Sequence, residues 1–178
     1  MLGRSKKSYI VRLFGDDFTS MLYRNGYYHG AAIVRLLDDE RCLAVRKYGL
    51  FGYIVNDSIF VLLKYTTKAR TPWGFTFDQE EVGRYSKMNL LYPRVVLGFI
   101  CGDDGVCALE WSQASGLLAG NPGRIAVGRK HNKQYDVWGS AGGLKGKIAL
   151  NRWPSLLFES PVIAPSVNPE PSYVAASN

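Results

Sequence analysis

The chain has 178 residues, of which 47% are hydrophobic and 13% aromatic, and its formal net charge at pH 7 is +7. This length and composition exclude a disordered chain and favour a single soluble domain with a buried core. No apolar run approaches the roughly 20 residues of a membrane-spanning helix, and the basic N-terminus lacks the apolar stretch of a signal peptide. We therefore expect a cytoplasmic protein that does not contact a membrane.

The first 40 residues are predicted to form one strand and two helices. Tyr9–Phe14 has the pattern of a strand, and Asp17 is placed to cap a short helix that Asn25 and Gly26 would end. Tyr27–Leu37 suits a second helix, although its β-branched residues would also suit a strand. We predict the helix.

Strand-like periodicity dominates from residue 42 onward. Asn56 and Asp57 form a turn pair typical of a hairpin, and the turn at Gly102–Gly105 joins a second pair of strands. The predicted strands, in chain order, are Cys42–Arg46, Tyr53–Val55, Ser58–Tyr65, Val95–Cys101, Val106–Trp111, Arg124–Arg129, Gln134–Trp138 and Leu144–Leu150.

Two more helices are predicted between these strands. Asp78, followed three residues later by Glu81, indicates a capping box at the start of a helix that runs to about Asn89, and Gln113–Leu118 forms a shorter one. The apolar cluster Trp153–Phe158 is expected to pack on the core. Because strands and helices do not alternate regularly, we predict an α+β fold: a mostly antiparallel, twisted sheet of six to nine strands with two to four helices.

One globular domain is expected over residues 1–160. From Pro161 onward the chain holds four of its eight prolines and no basic residue. Residues 161–178 are therefore predicted to form a proline-rich tail that is dispensable for folding.

Cysteine usage fits an intracellular domain. The chain has three cysteines, Cys42, Cys101 and Cys107, an odd and sparse set that argues against a secreted disulfide framework. The turn between Cys101 and Cys107 offers too few soft ligands for a metal ion. We expect buried free thiols, no metal site and no cofactor.

Positive charge is distributed unevenly along the chain. Residues 41–73 carry six Lys and Arg against one acid, and residues 120–158 carry seven against one, whereas 16–40 and 74–119 are each net acidic by three. This asymmetry predicts a positive face for a polyanionic or acidic partner. A surface that excess lysine merely keeps soluble is the alternative.

The segment Lys64–Phe77 combines charge with aromatic side chains. If its strand continues to residue 70, alternation places Lys64, Lys68 and Arg70 on one face, where they would suit a phosphate backbone. Trp73 follows at once and would offer a surface for base stacking. The alternative is a solvated strand edge followed by core aromatics.

Two further basic groups extend this hypothesis. One lies on a predicted hairpin tip, where a basic loop would reach into a groove, and the other lies on the strand predicted over Leu144–Leu150. His131 on the hairpin tip would suit a general base near neutral pH, and a solvated histidine is the alternative. The two groups are Arg129, Lys130, His131 and Lys133, and Lys145 with Lys147.

A metal-dependent nuclease is the third hypothesis. In the PD-(D/E)xK pattern, carboxylates hold Mg²⁺ and a lysine on the following strand steadies the attacked phosphate. Asp57 with Lys64 lacks the acidic residue of the motif, and Asp104 with Glu110 lacks the lysine. Because neither match is complete, we expect that the chain is not an enzyme.

Alternation within Val106–Ser112 gives a specific expectation about burial. One set of side chains is predicted to face the core and the other to face away from it. The inward set is Cys107, Leu109 and Trp111, and the outward set is Val106, Ala108, Glu110 and Ser112.

Binding of nucleic acid by a basic, aromatic-interleaved face, as part of a nucleic-acid-processing system, is the leading hypothesis. The alternative is a protein-interaction module, such as an inhibitor or accessory subunit, that docks an acidic partner. The residues predicted to contact nucleic acid are Lys64, Lys68, Arg70, Trp73, Arg129, Lys130, His131, Lys133, Lys145 and Lys147.

Overall fold

A computed structural model describes residues 24–49, 52–131 and 133–160 of the chain. Within these ranges the fold is α+β, with nine strands in two sheets and four helices, which confirms the predicted fold class. The strands are β1 (Val45–Tyr48), β2 (Gly52–Val55), β3 (Ile59–Thr66), β4 (Trp73–Phe77), β5 (Arg94–Cys101), β6 (Val106–Glu110), β7 (Gly123–Gly128), β8 (Asp136–Gly139) and β9 (Gly142–Gly143). The helices are α1 (Arg24–Leu37), α2 (Gln79–Leu91), α3 (Trp111–Ser115) and α4 (Arg152–Ser155), followed by a 3₁₀ turn over Leu156–Phe158.

The first sheet has the strand order β1-β2-β3-β5-β6. Asn56 and Asp57 both adopt positive φ angles, 49° and 57°, and form the predicted tight hairpin between β2 and β3. The only parallel neighbours in this sheet are β3 and β5, which a long crossover through β4 and α2 connects. Every other neighbouring pair in this sheet is antiparallel.

Both faces of the first sheet are covered from β2 to β6, whereas the edge strand β1 is largely exposed. One face packs against the second sheet, α2 and α3, and the other packs against α1 and the apolar cluster of Trp153, Leu156 and Leu157. This double cover explains why β3, β5 and β6 are almost continuously apolar.

The burial expectations for Val106–Ser112 are only partly confirmed. Trp111 is buried, and the Glu110 side chain, 37% exposed, pairs with Arg94. The outward placement of Val106 and Ala108 is wrong, because α1 and the Trp153 cluster cover that face and leave them 4% and 0% exposed.

The second sheet has the order β4-β7-β8-β9, and all its neighbours are antiparallel. Its inner face forms one side of the core between the two sheets. The aromatic residues of β4 lie in this core, which agrees with the alternative interpretation of Lys64–Phe77, a strand edge followed by core aromatics. Its outer face is open to solvent, with Thr76, Arg124 and Trp138 exposed. The buried residues of the inner face are Trp73, Phe75, Phe77, Ile125, Val127 and Val137.

The helices follow local signals closely. Asp78 accepts from the backbone N–H of Glu81, and the Glu81 side chain accepts from the N–H of Asp78, so the predicted capping box is confirmed. The helix predicted over Tyr27–Leu37 is also confirmed. Asn25 and Gly26 do not end a helix, however, because they lie in the first turn of α1, whose Ala32 and Leu36 pack on the sheet.

Several predicted elements differ in extent. The strand predicted over Cys42–Arg46 forms over Val45–Tyr48, and the helix predicted over Gln113–Leu118 forms over Trp111–Ser115. The strand from Ser58 ends at Thr66 and does not continue to residue 70. The strand predicted over Leu144–Leu150 does not form as a continuous strand. β9 lies before this range, and within it Ile148 forms an isolated bridge with Tyr135, because Gly146 at φ +96° breaks the ladder.

The three cysteines are free and buried, as predicted. Burial raises the pKa of the Cys101 thiol to about 12 and raises that of Cys107 well above its ordinary value. The elements predicted over Tyr9–Phe14 and after Asp17, and the tail 161–178, lie outside the described residues. No helix in the described ranges has the length and apolar character needed to cross a membrane.

Candidate nucleic-acid interface

Two of the predicted basic groups meet at one end of the second sheet. β4 begins where β7 ends, with Trp73 opposite Val127. The backbone N–H of Arg129 donates to Oγ1 of Thr71 at 2.9 Å, which fastens the loop before β4 to the loop after β7. We call the exposed side chains of these two loops the basic end: Lys68, Arg70, Lys130, His131 and Lys133.

The loop before β4 is folded rather than extended. Nζ of Lys68 donates to the carbonyl of Pro72 at 2.9 Å, and the Lys68 carbonyl accepts from Nε1 of Trp73 at 2.9 Å. The expected alternation of Lys64, Lys68 and Arg70 along one strand is therefore wrong. Lys68 and Arg70 reach the surface from this loop instead.

Lys64 does not join the basic end. Its ammonium lies 2.7 Å from Oε1 of Glu81 and 4.3 Å from the centre of the Phe77 ring, and its side chain is 20% exposed. Phe77 is at the opposite end of β4 from Trp73. Lys64 thus acts as an internal partner of α2.

Trp73 is a core residue. It is 3% exposed, and its ring lies edge-on to Tyr135 at a centroid distance of 6.4 Å. The inward parity of β4 buries Trp73 together with Phe75 and Phe77. A stacking surface for bases does not lie at Trp73.

Arg129 is a structural cation. Nε donates to Oδ2 of Asp104 at 2.8 Å, a second guanidinium nitrogen contacts Oδ1, and Tyr135 donates its hydroxyl to Oδ2 at 3.0 Å. The hydrogen bond that Arg129 donates to Asp104 raises the pKa of Arg129, and burial, followed by the Asp104 charge, raises the pKa of Tyr135. This group ties the turn at Gly102–Gly105 to the second sheet.

Lys145 and Lys147 lie on the segment after β9, beside the same end of the sheet. Nζ of Lys147 is 3.1 Å from Oδ2 of Asp136, and both side chains are about half exposed. Lys145 is exposed and has no carboxylate partner within the described part of the chain. Lys147 therefore neutralises Asp136, and Lys145 adds a free positive charge.

The positive charge of the described residues is concentrated around this end. Together they contain 18 Lys and Arg and 12 Asp and Glu. Eight of the cations and three of the acids lie around this end, and the rest of the described chain holds ten cations and nine acids. The residues counted around this end are segments 66–73, 102–105, 128–136 and 142–148, together with Arg124. The remainder is close to neutral.

The sequence hypothesis missed Trp138, which is the exposed tryptophan of the described chain at 41%. Its Cη2 and Cζ3 atoms lie over Gly128, where an added Cβ would be 2.7 Å from each. The available signal was strand alternation, which places Trp138 and Val137 on opposite faces of β8 without indicating which of the two faces the core.

The two partial nuclease motifs are not assembled. Asp104 precedes β6 and Glu110 ends it, so the five-residue strand alone separates them by about 13 Å. Asp57 pairs with Arg46 in the turn before β3, whereas Lys64 lies near the other end of that strand. Among residues 24–49, 52–131 and 133–160, no three His, Cys, Asp or Glu side chains converge on a possible metal position.

A separate open cleft lies between α1 and the turn at Gly102–Gly105. Its volume is about 430 Å³, and its lining includes Tyr27, Tyr28, Arg35 and Asp103. Because it presents one cation and neighbouring carboxylates, it has no strong charge preference for an anion.

Comparison of the chain with protein-family models, curated proteins and solved structures found no match. Evidence for a function of this chain therefore comes from the geometry and charge of the site itself.

Proposed function

We propose that this chain binds nucleic acid through the basic end of its second sheet. The observation that carries the proposal is the Thr71–Arg129 hydrogen bond, which joins the loop that carries Lys68 and Arg70 to the loop that carries Lys130 and Lys133. Exposed lysine and arginine side chains bind phosphate oxygens without requiring a particular base sequence.

The acids nearby support an anionic ligand. Asp104 is held by Arg129, and Asp136 is held by Lys147, so two of the three carboxylates in this region already have a basic partner. Arg70, Lys130 and Lys133 have no carboxylate partner among the described residues. Their charge is available to a phosphate backbone.

The test is binding of a fluorescently labelled 20-nucleotide DNA, measured by anisotropy across a range of salt concentrations. One variant replaces Arg70, Lys130 and Lys133 with alanine. Its matched control replaces Arg46, Lys47 and Lys87, which also removes one arginine and two lysines, from β1 and α2. Both variants have the same net charge.

The wild type should lose affinity steeply as salt rises, because binding releases counterions from the DNA. The basic-end variant should bind at least tenfold more weakly at about 100 mM salt, with a salt slope shallower by roughly two to three. The control should stay within about twofold of the wild type. Equal losses in both variants would show that binding is diffuse, and no salt-dependent binding by the wild type would favour an acidic protein partner.

A further inference from the structure

The outer face of the second sheet carries two planar side chains beside the basic end. We infer that this face stacks unpaired bases on Trp138 and Arg124, so that the nucleic acid is single-stranded. The inference rests on the proposed function and names the form of nucleic acid that the same site takes.

Trp138 provides the first stacking plane. Its indole extends from β8 across Gly128 on β7, toward the basic end, and the same position over Gly128 lies 3.6 Å from Oγ1 of Thr71. A side chain at Gly128 would displace the ring, so the absence of one lets the indole lie against the sheet. Within the described chain, Nε1 of Trp138 has no hydrogen-bond partner, unlike the buried indoles of Trp73 and Trp153.

Arg124 provides the second plane. Its guanidinium extends from β7 across Gly74 on β4, where an added Cβ would be 2.8 Å from Nη2 and 3.2 Å from Nε. Its backbone N–H is fixed by Oγ of Ser140 at 2.9 Å. In the ranges that the structure describes, no carboxylate pairs with this exposed guanidinium.

The two planes are arranged as a pair. Gly74 lies opposite Ala126, and Gly128 is two residues further along β7, so the positions that Arg124 and Trp138 cover are diagonal neighbours. Such neighbours on a sheet are about 7–8 Å apart. Each side chain extends over the neighbouring strand and toward the basic end. Bases stacked on these two planes would lie on the outer face, with their phosphates at the basic end.

Stacking on these planes requires unpaired bases. In a duplex the faces of each base are covered by its neighbours, whereas the bases of a single strand are free to stack on aromatic rings and on guanidinium planes. A sheet face also differs from the helices and two-stranded ribbons that enter a major groove. The outer face therefore matches a single strand better than a duplex.

The test compares a labelled 15-nucleotide oligothymidine with a duplex of equal length, at constant salt. Trp138→Leu keeps an apolar side chain over Gly128 but removes the aromatic plane, and Trp138→Phe restores a plane. Tyr27→Leu, at an exposed aromatic residue on α1, is the matched control. Arg124→Lys keeps the charge and removes the guanidinium plane, so it tests the inference even if the Trp138 variants impair folding. Thermal melting monitors the folding of every variant.

Trp138→Leu should weaken binding of the single strand by roughly 5- to 150-fold and leave duplex binding unchanged, while Trp138→Phe recovers most of the loss. Arg124→Lys should weaken single-strand binding and spare duplex binding, and Tyr27→Leu should change neither. Wild-type affinity in Trp138→Leu and Arg124→Lys, or equal losses for both ligands, would overturn the inference. If those variants bind normally while the basic-end variant still fails, the proposed function stands without the stacking face; if the wild type binds neither ligand, the proposed function itself fails.

Discussion

The two sheets of this molecule differ in what covers their faces. The first sheet is enclosed by the second sheet on one side and by α1 and the Trp153 cluster on the other. The second sheet buries its inner face in the same core but leaves its outer face to solvent. One sheet thus completes the interior, and the other presents a surface.

The composition of the two sheets reflects this difference. After Arg94, β5 carries no polar side chain and is buried at its remaining seven positions, whereas β4 alternates between buried and more accessible residues. On the outer face, small residues at Gly74, Ala126 and Gly128 adjoin Trp138 and Arg124. The exposed ring of Trp138 and the guanidinium of Arg124, which has no carboxylate partner among the described residues, support our proposal that this face binds nucleic acid.

The largest expected effect is a difference in stability between variants of two tryptophans. Trp153 and Trp138 each lie on the face of a sheet that points away from the core between the two sheets. Trp153 covers the first sheet at 1% exposure and donates from Nε1 to the carbonyl of Ala32 at 3.1 Å. Trp153→Ala should lower the free energy of unfolding by about 3–5 kcal/mol. Trp138→Ala should lower it by about 1 kcal/mol, since the ring is only partly buried.

Urea denaturation of the two variants measures this difference. Similar losses of stability in both would mean that Trp138 is also a structural residue and that the two sheets are covered in equivalent ways.

A smaller difference in stability is expected between variants of Lys64 and Lys68, two lysines that the sequence analysis assigned to the same binding surface. Lys64 is paired with Glu81 beside the Phe77 ring, so Lys64→Ala should destabilise the fold by about 1–2 kcal/mol, between the values for surface and buried pairs. Lys68→Ala should change stability by less than about 0.5 kcal/mol. Thermal melts of both variants test this, and equal destabilisation would contradict the division between internal and presented charges.

Features encoded by neighbouring residues were predictable from the sequence. The capping box of Asp78 and Glu81 and the hairpin turn at Asn56 and Asp57 depend on contacts a few residues apart. The alternation of Trp111 with its neighbours placed one face correctly. It misplaced Val106, since a sheet buried on both faces has no outward side.

Features that depend on distant segments were not predictable in the same way. The parallel pairing of β3 with β5 requires a crossover, and the contact between the loop before β4 and the loop after β7 requires the Thr71–Arg129 hydrogen bond. No local pattern encodes either feature. Trp73 was assigned to the surface because it follows a basic segment, yet the parity of β4 buries it. Trp138 instead occupies a position of β8 whose side chain points away from the core. The sequence alone did not indicate which of the two alternating sets of β8 side chains faces the core.

The four tryptophans allow the most direct test of the central claim, that the outer face of the second sheet is the binding surface. In a ¹H–¹⁵N spectrum each indole N–H gives its own signal, and three of them, from Trp73, Trp111 and Trp153, belong to rings that are 3%, 3% and 1% exposed. Titration with oligothymidine should shift the Trp138 indole signal strongly and leave the other three nearly unchanged. A Trp138 signal that stays in place while binding saturates would contradict the account.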